Sequence, residues 1–256
     1  MHDARARKPG PPGRWPAPSV HARPVRGRTP TDQGVRFCVV QSSGTLIAPR
    51  GRSIIAKGHI MQEIRFHGRG GQGTVLASIA LAKAFFTAGY YVQTFPVFGS
   101  ERRGAPVEAY LRLGEHKILV RSNVYEPDHV VVQDMHLLGL VDVTRGLKPG
   151  GWILLNSPGV PEDLTPFEGF KLAYVDAASI ALRHELGSRT QPIINTAMMG
   201  AFARMMAAPP LEAVAEAILE EAPRKREENA AAARDAYAEV VLAGLVQDGR
   251  IKEMVR

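Results

Sequence analysis

Apolar and polar positions alternate around Ile64 and Phe66, which is the period expected of a β-strand with one buried face. A glycine-rich stretch follows. Apolar residues then recur every three or four positions from Val75 to Phe86, which is the period of an amphipathic helix, and Gly89 follows as a helix-ending residue. The pattern predicts a strand, a glycine loop and a helix in that order.

The same patterns continue along the rest of the chain. Alternation from Val107 to Leu113 predicts a strand. The apolar stretches in DHVVVQDM, Trp152–Leu155 and Leu172–Val175 predict strands that are covered on both faces. HKILVRS predicts one more strand. Helices are predicted after Val175, in the apolar segment PIINTAMMGAFARMMAAPP, and in the long final segment RKREENAAAARDAYAEVVLAGL.

Strands that alternate with helices predict a three-layer, Rossmann-like α/β domain with a mostly parallel sheet and a long C-terminal helix. The two closely spaced strands on either side of ERRG make a mixed sheet the expected arrangement, because neighbouring strands joined by a short turn run antiparallel.

Composition divides the chain into three parts. Eight of the 19 prolines fall in residues 1–60, whose opening shows no helical or strand period and whose one short possible strand, Val35 to Val40, has no evident partner. This segment is predicted to be disordered or an over-extended start, with Met61 as the initiator. Residues 61–245 are predicted to form the α/β domain, and residues 246–256 a C-terminal tail.

The net charge of +7 comes from the first segment. Residues 1–60 hold eleven Lys and Arg against two acids, so they carry +9 and residues 61–256 carry −2. The predicted domain therefore has no general attraction for nucleic acid. No apolar run is long enough for a membrane span and no cleavable signal is present, so the prediction is a cytoplasmic protein without a membrane partner.

The side chains offer little catalytic chemistry. The only cysteine is Cys38, so residues 61–256 contain no thiol nucleophile and no cysteine ligand for zinc or an iron–sulfur cluster. The histidines are scattered, and no nucleophile elbow or pair of catalytic carboxylates is evident. The sequence predicts a binding site without catalytic residues and without a metal.

The glycine loop is the strongest motif. GRGGQG places Gly68, Gly70 and Gly73 in the G-x-G-x-x-G pattern, between a predicted strand and a predicted helix. Glycines let the backbone approach an anion closely, and the helix start supplies unpaired N–H groups and a positive dipole end. The loop is therefore predicted to bind an anion, although a tight turn without a ligand is the alternative.

A nicotinamide site would also need an acidic residue at the end of the next strand, to bond the ribose hydroxyls. That position holds Gln93, Thr94 and Phe95. The pattern argues against a free-standing dinucleotide-binding dehydrogenase.

The second dense motif is ERRG, with Arg102 and Arg103 adjacent at the entrance of a predicted strand. A pair of arginines on a turn commonly divides between an ion pair, here with Glu101, and solvent. The functional alternative is a guanidinium that binds a phosphate or carboxylate through its fork of donors.

Four motifs resemble one family and occur in that family's order. IRFHGRGGQGTVLAS, FPVFGSERRGAPVEAYLR, YEPDHVVVQD and PIINTAMMGAF resemble the gamma subunit of 2-oxoacid:ferredoxin oxidoreductases, most closely the pyruvate and ketoisovalerate type. The resemblance extends from about Met61 to about Tyr237.

The resemblance implies a subunit of an enzyme that converts a 2-oxoacid, most closely pyruvate, and coenzyme A into an acyl-CoA, CO₂ and reduced ferredoxin. It implies partner subunits of the alpha, beta and delta types, which hold thiamine diphosphate, Mg²⁺ and [4Fe–4S] clusters, and ferredoxin as the electron acceptor. This chain is then expected to contribute to coenzyme A binding and to assembly.

Coenzyme A carries a diphosphate and a 3′-phosphate, so a glycine loop and nearby arginines could bind it without a ribose acid. The residues implied in this binding are Gly68, Gly70, Gly71, Gln72, Gly73, Thr74, Arg102 and Arg103. A purely structural subunit whose loop binds nothing remains the alternative.

Overall fold

A computed structural model describes the chain over residues 61–98 and 104–252. The strands are β1 (Met61–Arg69), β2 (Tyr91–Phe98), β3 (Pro106–Gly114), β4 (His129–Val132), β5 (Trp152–Asn156), β6 (Lys171–Val175), β7 (Gly187–Ser188), β8 (Gln191–Pro192), β9 (Val241–Gln247) and β10 (Arg250–Lys252). The α-helices are α1 (Thr74–Thr87), α2 (Ala177–Arg183), α3 (Asn195–Met206), α4 (Leu211–Glu221) and α5 (Arg226–Glu239). Short 3-10 helices cover Met135–Gly139 and Thr165–Phe167.

The predicted opening of the domain is confirmed: β1 leads into the glycine loop, and α1 follows it and ends two residues before Gly89. The strands that the apolar patterns predict are β3, β4, β5 and β6. The α/β class predicted from the alternation of strands and helices is therefore confirmed.

Eight strands of the described residues form one sheet, in the order β10-β9-β6-β5-β4-β1-β3-β2. Strands β1, β4, β5 and β6 are parallel neighbours, while β3 pairs antiparallel with both β1 and β2, and β9 pairs antiparallel with β6 and β10. The sheet is mixed, as predicted from the short ERRG connection. Only β3 and β9 run against the common direction, which keeps the sheet mostly parallel.

The two faces of the sheet are covered differently. All five α-helices of the described residues contribute to one core, together with alternate strand residues such as Phe66, Val131 and Leu154. The other face, with Val130 and Ile153, packs against the two 3-10 helices and their loops. Alternate residues of each strand thus enter opposite cores, which explains why the parallel strands read as continuous apolar runs.

Helices α3 and α5 approach each other closely. A Cβ atom added at Gly200 would lie 1.8 Å from the backbone oxygen of Ala233, and alanines line the facing side of α5. Only a residue without a side chain fits at this crossing. The contact fixes α3, whose first turn reaches the glycine loop.

The final helix is shorter than predicted. The pattern predicts a helix through residue 245, but α5 ends at Glu239 and β9 begins at Val241. Val240 has an extended backbone, and the segment after it pairs with β6. The tertiary pairing overrides local helix propensity here, so the β9–β10 hairpin occupies residues that the sequence assigns to the helix end and the tail.

The segment HKILVRS does not form the predicted strand. Residues 115–128 have no regular structure, and Leu119 is 75% exposed. The backbone oxygens of Val120, Ser122 and Asn123 instead accept hydrogen bonds from the guanidinium of Arg112. The carbonyl groups of this segment thus bond to an arginine side chain of β3, and not to the backbone of a neighbouring strand.

Arg112 is fully buried and holds this segment on the sheet. Its Nε donates to Glu63 Oε1 at 2.7 Å, and its Nη1 donates to Gln93 Oε1 at 2.9 Å. The guanidinium also lies 5.3 Å from the ring centroid of Phe95. The charge is paired and its donors are bonded, as a buried arginine requires.

Residues 1–60, and with them the predicted disorder and the role of Met61, lie outside the described residues, and the domain limits remain predictions. No helix among the described residues is long and apolar enough to cross a membrane.

Replacing Gly200 with alanine should lower the free energy of unfolding by about 1–3 kcal/mol, because α3 and α5 must separate to admit the new methyl group. This loss should exceed the roughly 1 kcal/mol that alanine gains over glycine within a helix. Urea unfolding of the full chain measures the change. Gly159→Ala is the matched control, since a Cβ there meets open space; equal stability of the two variants would contradict the close crossing.

Candidate functional site: the glycine loop at the end of β1

The glycine loop joins the carboxyl end of β1 to the start of α1. Gly71 and Gly73 have positive φ angles of 98° and 75°, which glycine adopts without strain. Gly73 is the N-cap of α1, so no side chain caps the helix, and its first turn contains no acidic residue. The N–H groups of the first turn are therefore available to an outside acceptor, at the positive end of the helix dipole.

Gly68 allows the end of β1, the start of α1 and the end of β4 to lie close together. A Cβ atom added there would lie 2.0 Å from Thr74 Oγ1 and 2.8 Å from Gln133 Oε1, so any larger residue would collide with both. The Thr74 hydroxyl lies within 2.6 Å of Gln133 Oε1 and donates a hydrogen bond to it. Gly68 and the Thr74 side chain thus have packing roles, while the backbone of Thr74 starts the helix.

Gln72 turns its side chain into the protein. Its Oε1 accepts a hydrogen bond from the Arg69 N–H at 2.8 Å, and its Nε2 donates to Asp134 Oδ2 at 3.0 Å. The side chain therefore braces the loop from within. Of the loop residues that the resemblance implies, Gln72 and Thr74 are positioned to face the protein, and exposed Gly71 to face outward.

Asp134 stabilises this bracing. Its Oδ2 lies 3.1 Å from Arg69 Nε, and its Oδ1 accepts a hydrogen bond from the backbone N–H of His136 at 3.0 Å. Partial burial acts to raise the pKa of Asp134, but the hydrogen bonds from His136 and Gln72 and the charge of Arg69 outweigh it and lower the pKa. The carboxylate stays ionised, and its charge is compensated beside the loop.

A second helix start lies against the loop. A Cβ added at Gly73 would lie 2.5 Å from Asn195 Nδ2, and this amide donates a long hydrogen bond of 3.5 Å to the Gly73 oxygen. Asn195 is the first residue of α3, whose N-cap is Ile194, and no side chain caps that helix. Two uncapped helix N-termini therefore meet at the loop.

The base of the loop contains two unpaired amide atoms. Gln133 and Asn195 are 1% and 3% exposed, yet Gln133 Nε2 and Asn195 Oδ1 have no hydrogen-bond partner within residues 61–98 and 104–252. Buried polar atoms are nearly always bonded in native proteins. The two atoms are therefore candidate contacts for a polar group of a ligand.

Arg102 and Arg103 lie outside the described residues, so their contacts are not defined. The strand that follows them, β3, begins beside the loop: the N–H of Gly70 donates to the oxygen of Ala105 at 3.0 Å, and Arg69 pairs with Pro106. The start of β3 is thus anchored next to the glycine loop.

The position where a nicotinamide site would need an acid is remote from the loop. Strand β3 lies between β1 and β2, whereas a dinucleotide-binding fold places the acid-bearing strand next to the first strand. Gln93 and Thr94 are also buried, the first bonded to Arg112 and the second to Ser78 and the oxygen of Tyr110. Both topology and side chains disfavour a nicotinamide dinucleotide.

His67 precedes the loop and is buried as a neutral imidazole. Its Nε2 accepts a hydrogen bond from Arg65 Nε at 3.0 Å, which places the proton on Nδ1, toward Glu108 Oε1 at 3.6 Å. Burial, together with the charge of Arg65, lowers the pKa of His67 to about 4. The described residues contain no group of His, Cys, Asp and Glu suited to hold a metal ion.

Gln133, Asp134 and Arg69 lie within the motifs YEPDHVVVQD and GRGGQG, but none of them is among the predicted site residues. One signal was available for the first two, because Gln133 and Asp134 follow the apolar run of β4. In an open α/β sheet, ligands bind at the carboxyl ends of neighbouring parallel strands. The parallel pairing of β1 with β4 then brings the end of β4 to the loop.

Comparison with known proteins gives consistent matches over most of the described residues. A family model described as pyruvate ferredoxin/flavodoxin oxidoreductase matches residues 63–239. The pyruvate synthase subunit PorC of Methanocaldococcus jannaschii is 50% identical over 182 residues, covering 71% of this chain and 98% of that protein. The pyruvate/ketoisovalerate oxidoreductases common subunit gamma of Thermococcus kodakarensis is 50% identical over 187 residues, with the same coverage of 71% and 98%.

A solved structure extends the similarity to the fold. The crystal structure of the pyruvate oxidoreductase subunit PORC from Thermotoga maritima matches with a TM-score of 0.60 and 37% sequence identity. The match covers 72% of this chain and 98% of that one.

Acid should destabilise the domain through two histidines, of which His67 is buried and His129 is partly buried. Burial also lowers the pKa of His129 to about 4, and its Nδ1 accepts the Trp152 N–H. The unfolded chain binds protons near pH 6.5, whereas folded His67 and His129 do so only near pH 4. The stability that each neutral histidine contributes, up to about 3 kcal/mol, is therefore complete above pH 6.5 and lost as the pH falls toward 4.

Two substitutions test this directly, because each keeps a hydrogen-bond acceptor at the position of the imidazole nitrogen and removes the group that binds a proton. His129→Asn replaces Nδ1 by an amide oxygen, and His67→Gln replaces Nε2 by an amide oxygen. Each should flatten the dependence of the unfolding free energy on pH between 6.5 and 4, measured by urea unfolding at several pH values. His116→Asn, at an exposed position, is the control. An unchanged slope in both variants would show that these histidines do not carry the effect.

Proposed function

Since the chain belongs to the pyruvate ferredoxin/flavodoxin oxidoreductase family, as a gamma subunit of a pyruvate or related 2-oxoacid:ferredoxin oxidoreductase, we propose that its glycine loop binds the phosphate groups of coenzyme A for the assembled enzyme. The single observation that carries this proposal is the uncapped start of α1 behind exposed Gly71. The bound coenzyme A is proposed to take part in the oxidative decarboxylation of a 2-oxoacid, with pyruvate as the proposed substrate.

The chemistry of the loop fits a phosphate better than a neutral or cationic group. The Gln72 and Thr74 side chains face the protein, and the first turn of α1 contains no acid. The carboxylate that bonds Gln72, Asp134, is compensated by Arg69 and by N–H donors. A phosphate near the loop would therefore meet N–H groups and two helix dipole ends, without facing an uncompensated negative charge.

The residues implied by the resemblance take different parts in this proposal. The backbone N–H groups around Gly71, Gly73 and Thr74 contact phosphate oxygens, and Gly70 lets the loop leave β1 beside Ala105. Gly68 and the Gln72 side chain hold the loop in shape. Arg102 and Arg103 are proposed to add positive charge from the adjoining connection.

Partner subunits of the alpha, beta and delta types are proposed to hold thiamine diphosphate, Mg²⁺ and the [4Fe–4S] clusters, and ferredoxin to accept the electrons. The residues of this chain fit that division. Residues 61–256 contain no cysteine, and the described residues offer no metal-binding group. The thiamine group supplies the chemistry that cleaves the 2-oxoacid, and this chain is proposed to orient coenzyme A for acyl transfer.

Replacing Gly71 with leucine should raise the KM for coenzyme A by about tenfold or more, because the new side chain occupies the face that a phosphate must approach. The assembled complex, isolated without oxygen, is assayed for pyruvate-dependent reduction of ferredoxin over a range of coenzyme A concentrations. The KM for pyruvate and the recovery of the other subunits should not change.

Gly150→Leu is the matched control. Gly150 also has a positive φ, 73°, with open space around it, but it lies before β5, at the opposite end of the parallel strands. It introduces similar backbone strain away from the loop. Identical coenzyme A saturation curves for the two variants would favour the alternative of a purely structural subunit.

A further inference from the structure

The two buried amides at the base of the loop differ in the kind of atom that they leave unpaired. Gln133 is fixed at the end of β4 by its backbone. Its backbone N–H donates to the His67 oxygen at 2.8 Å, and its backbone oxygen accepts a hydrogen bond from Asn156 Nδ2 at 3.1 Å. Asn195 is fixed at the start of α3 against Gly73. Both side chains thus belong to rigid elements.

The contacts of each amide determine which atom remains unpaired. The 2.6 Å separation between Thr74 Oγ1 and the Gln133 side chain is typical of a hydroxyl bonded to an oxygen and short for a nitrogen donor. Gln133 therefore presents Nε2, a donor. Asn195 directs Nδ2 toward the Gly73 oxygen, and the reversed amide would set two acceptors against each other. Asn195 therefore presents Oδ1, an acceptor.

A phosphate alone cannot form hydrogen bonds with both Gln133 Nε2 and Asn195 Oδ1. An ionised phosphate oxygen accepts hydrogen bonds, so it suits Gln133 Nε2 but opposes Asn195 Oδ1. A hydroxyl group suits both, because its oxygen accepts one hydrogen bond while its hydrogen is donated in another. Leaving either amide atom unbonded in a buried site would be unfavourable.

We propose that Gln133 and Asn195 bind a hydroxyl group that neighbours a phosphate in the ligand, with Gln133 Nε2 donating to the hydroxyl oxygen and the hydroxyl donating to Asn195 Oδ1. The proposal rests on the proposed function of the loop. It adds a second element of recognition, which separates a hydroxylated phosphate ester from inorganic phosphate or diphosphate.

Coenzyme A contains this chemistry twice. The ribose 2′-hydroxyl adjoins the 3′-phosphate, and the hydroxyl of the pantoyl group lies close to the diphosphate. Two synthetic analogues, one lacking each hydroxyl, separate these sources while retaining every phosphate.

The test measures the dissociation constants of coenzyme A and both analogues by titration calorimetry on the assembled complex, isolated without oxygen. One analogue should bind about fivefold to tenfold more weakly than coenzyme A, which corresponds to the loss of the hydrogen bonds of one hydroxyl. Gln133→Met and Asn195→Ala should each weaken coenzyme A binding by a similar factor. Neither substitution should further weaken binding of the analogue that lacks the recognised hydroxyl.

This lack of further weakening distinguishes hydroxyl binding from distortion of the loop. Amides that only support the loop would, when replaced, weaken coenzyme A and both analogues equally, and that result would overturn the proposal. Equal binding of all three ligands by the parent complex would overturn it as well. Gln247→Met, an exposed glutamine on β9 with three strands between it and β1, is the control and should leave all three constants unchanged.

Failure of the loop function has a different outcome. Gly71→Leu and both amide variants would then bind coenzyme A as the parent does. If only the hydroxyl inference fails, Gly71→Leu still weakens binding, while the analogues show no selective loss.

Discussion

The close approach of three chain segments at Gly68 is the constraint on which the site depends. The Thr74 hydroxyl lies where the side chain of any other residue would be, and Gln133 lies directly behind it. Because Gly68 has no side chain, α1 can start immediately beside the ends of β1 and β4. The orientation of the helix start, the inward turn of the Thr74 hydroxyl and the burial of the Gln133 amide all follow from this contact.

The loop separates the tasks of its side chains and its backbone. Gln72 and Thr74 direct their polar atoms inward, where Asp134 and Gln133 bond them, so the outward surface consists of glycine and N–H groups. The negative charge that the bracing requires is compensated by Arg69 and a 3-10 helix start. A loop built in this way can present a positive field without exposing a mobile cationic side chain.

The sequence predicts what local patterns control. Alternation around Ile64, helical spacing after Val75 and the glycine spacing between them identify the strand, the helix and the loop. The strand conformation of Val241 could not be predicted from local pattern, because it depends on pairing with β6. HKILVRS has strand composition, and only the three-dimensional contact with Arg112 shows why its carbonyl groups bond a guanidinium instead. Gln133 and Asn195 are far apart in the chain, and their convergence on Gly73 and Thr74 depends on the sheet order and on the α3–α5 crossing.

The antiparallel strand β3, placed between β1 and β2, has a consequence for how this fold could change over evolution. In a dinucleotide-binding protein, a change of cofactor preference can arise from one substitution at the tip of the strand beside the loop. Here that neighbouring place is occupied by the start of β3, whose Pro106 lies opposite Arg69. An acid introduced at Gln93 or Thr94 would be buried one strand away from any ligand on the loop. Conversion to a nicotinamide-dependent site would therefore require a different strand order, which point mutations at Gln93 or Thr94 do not supply.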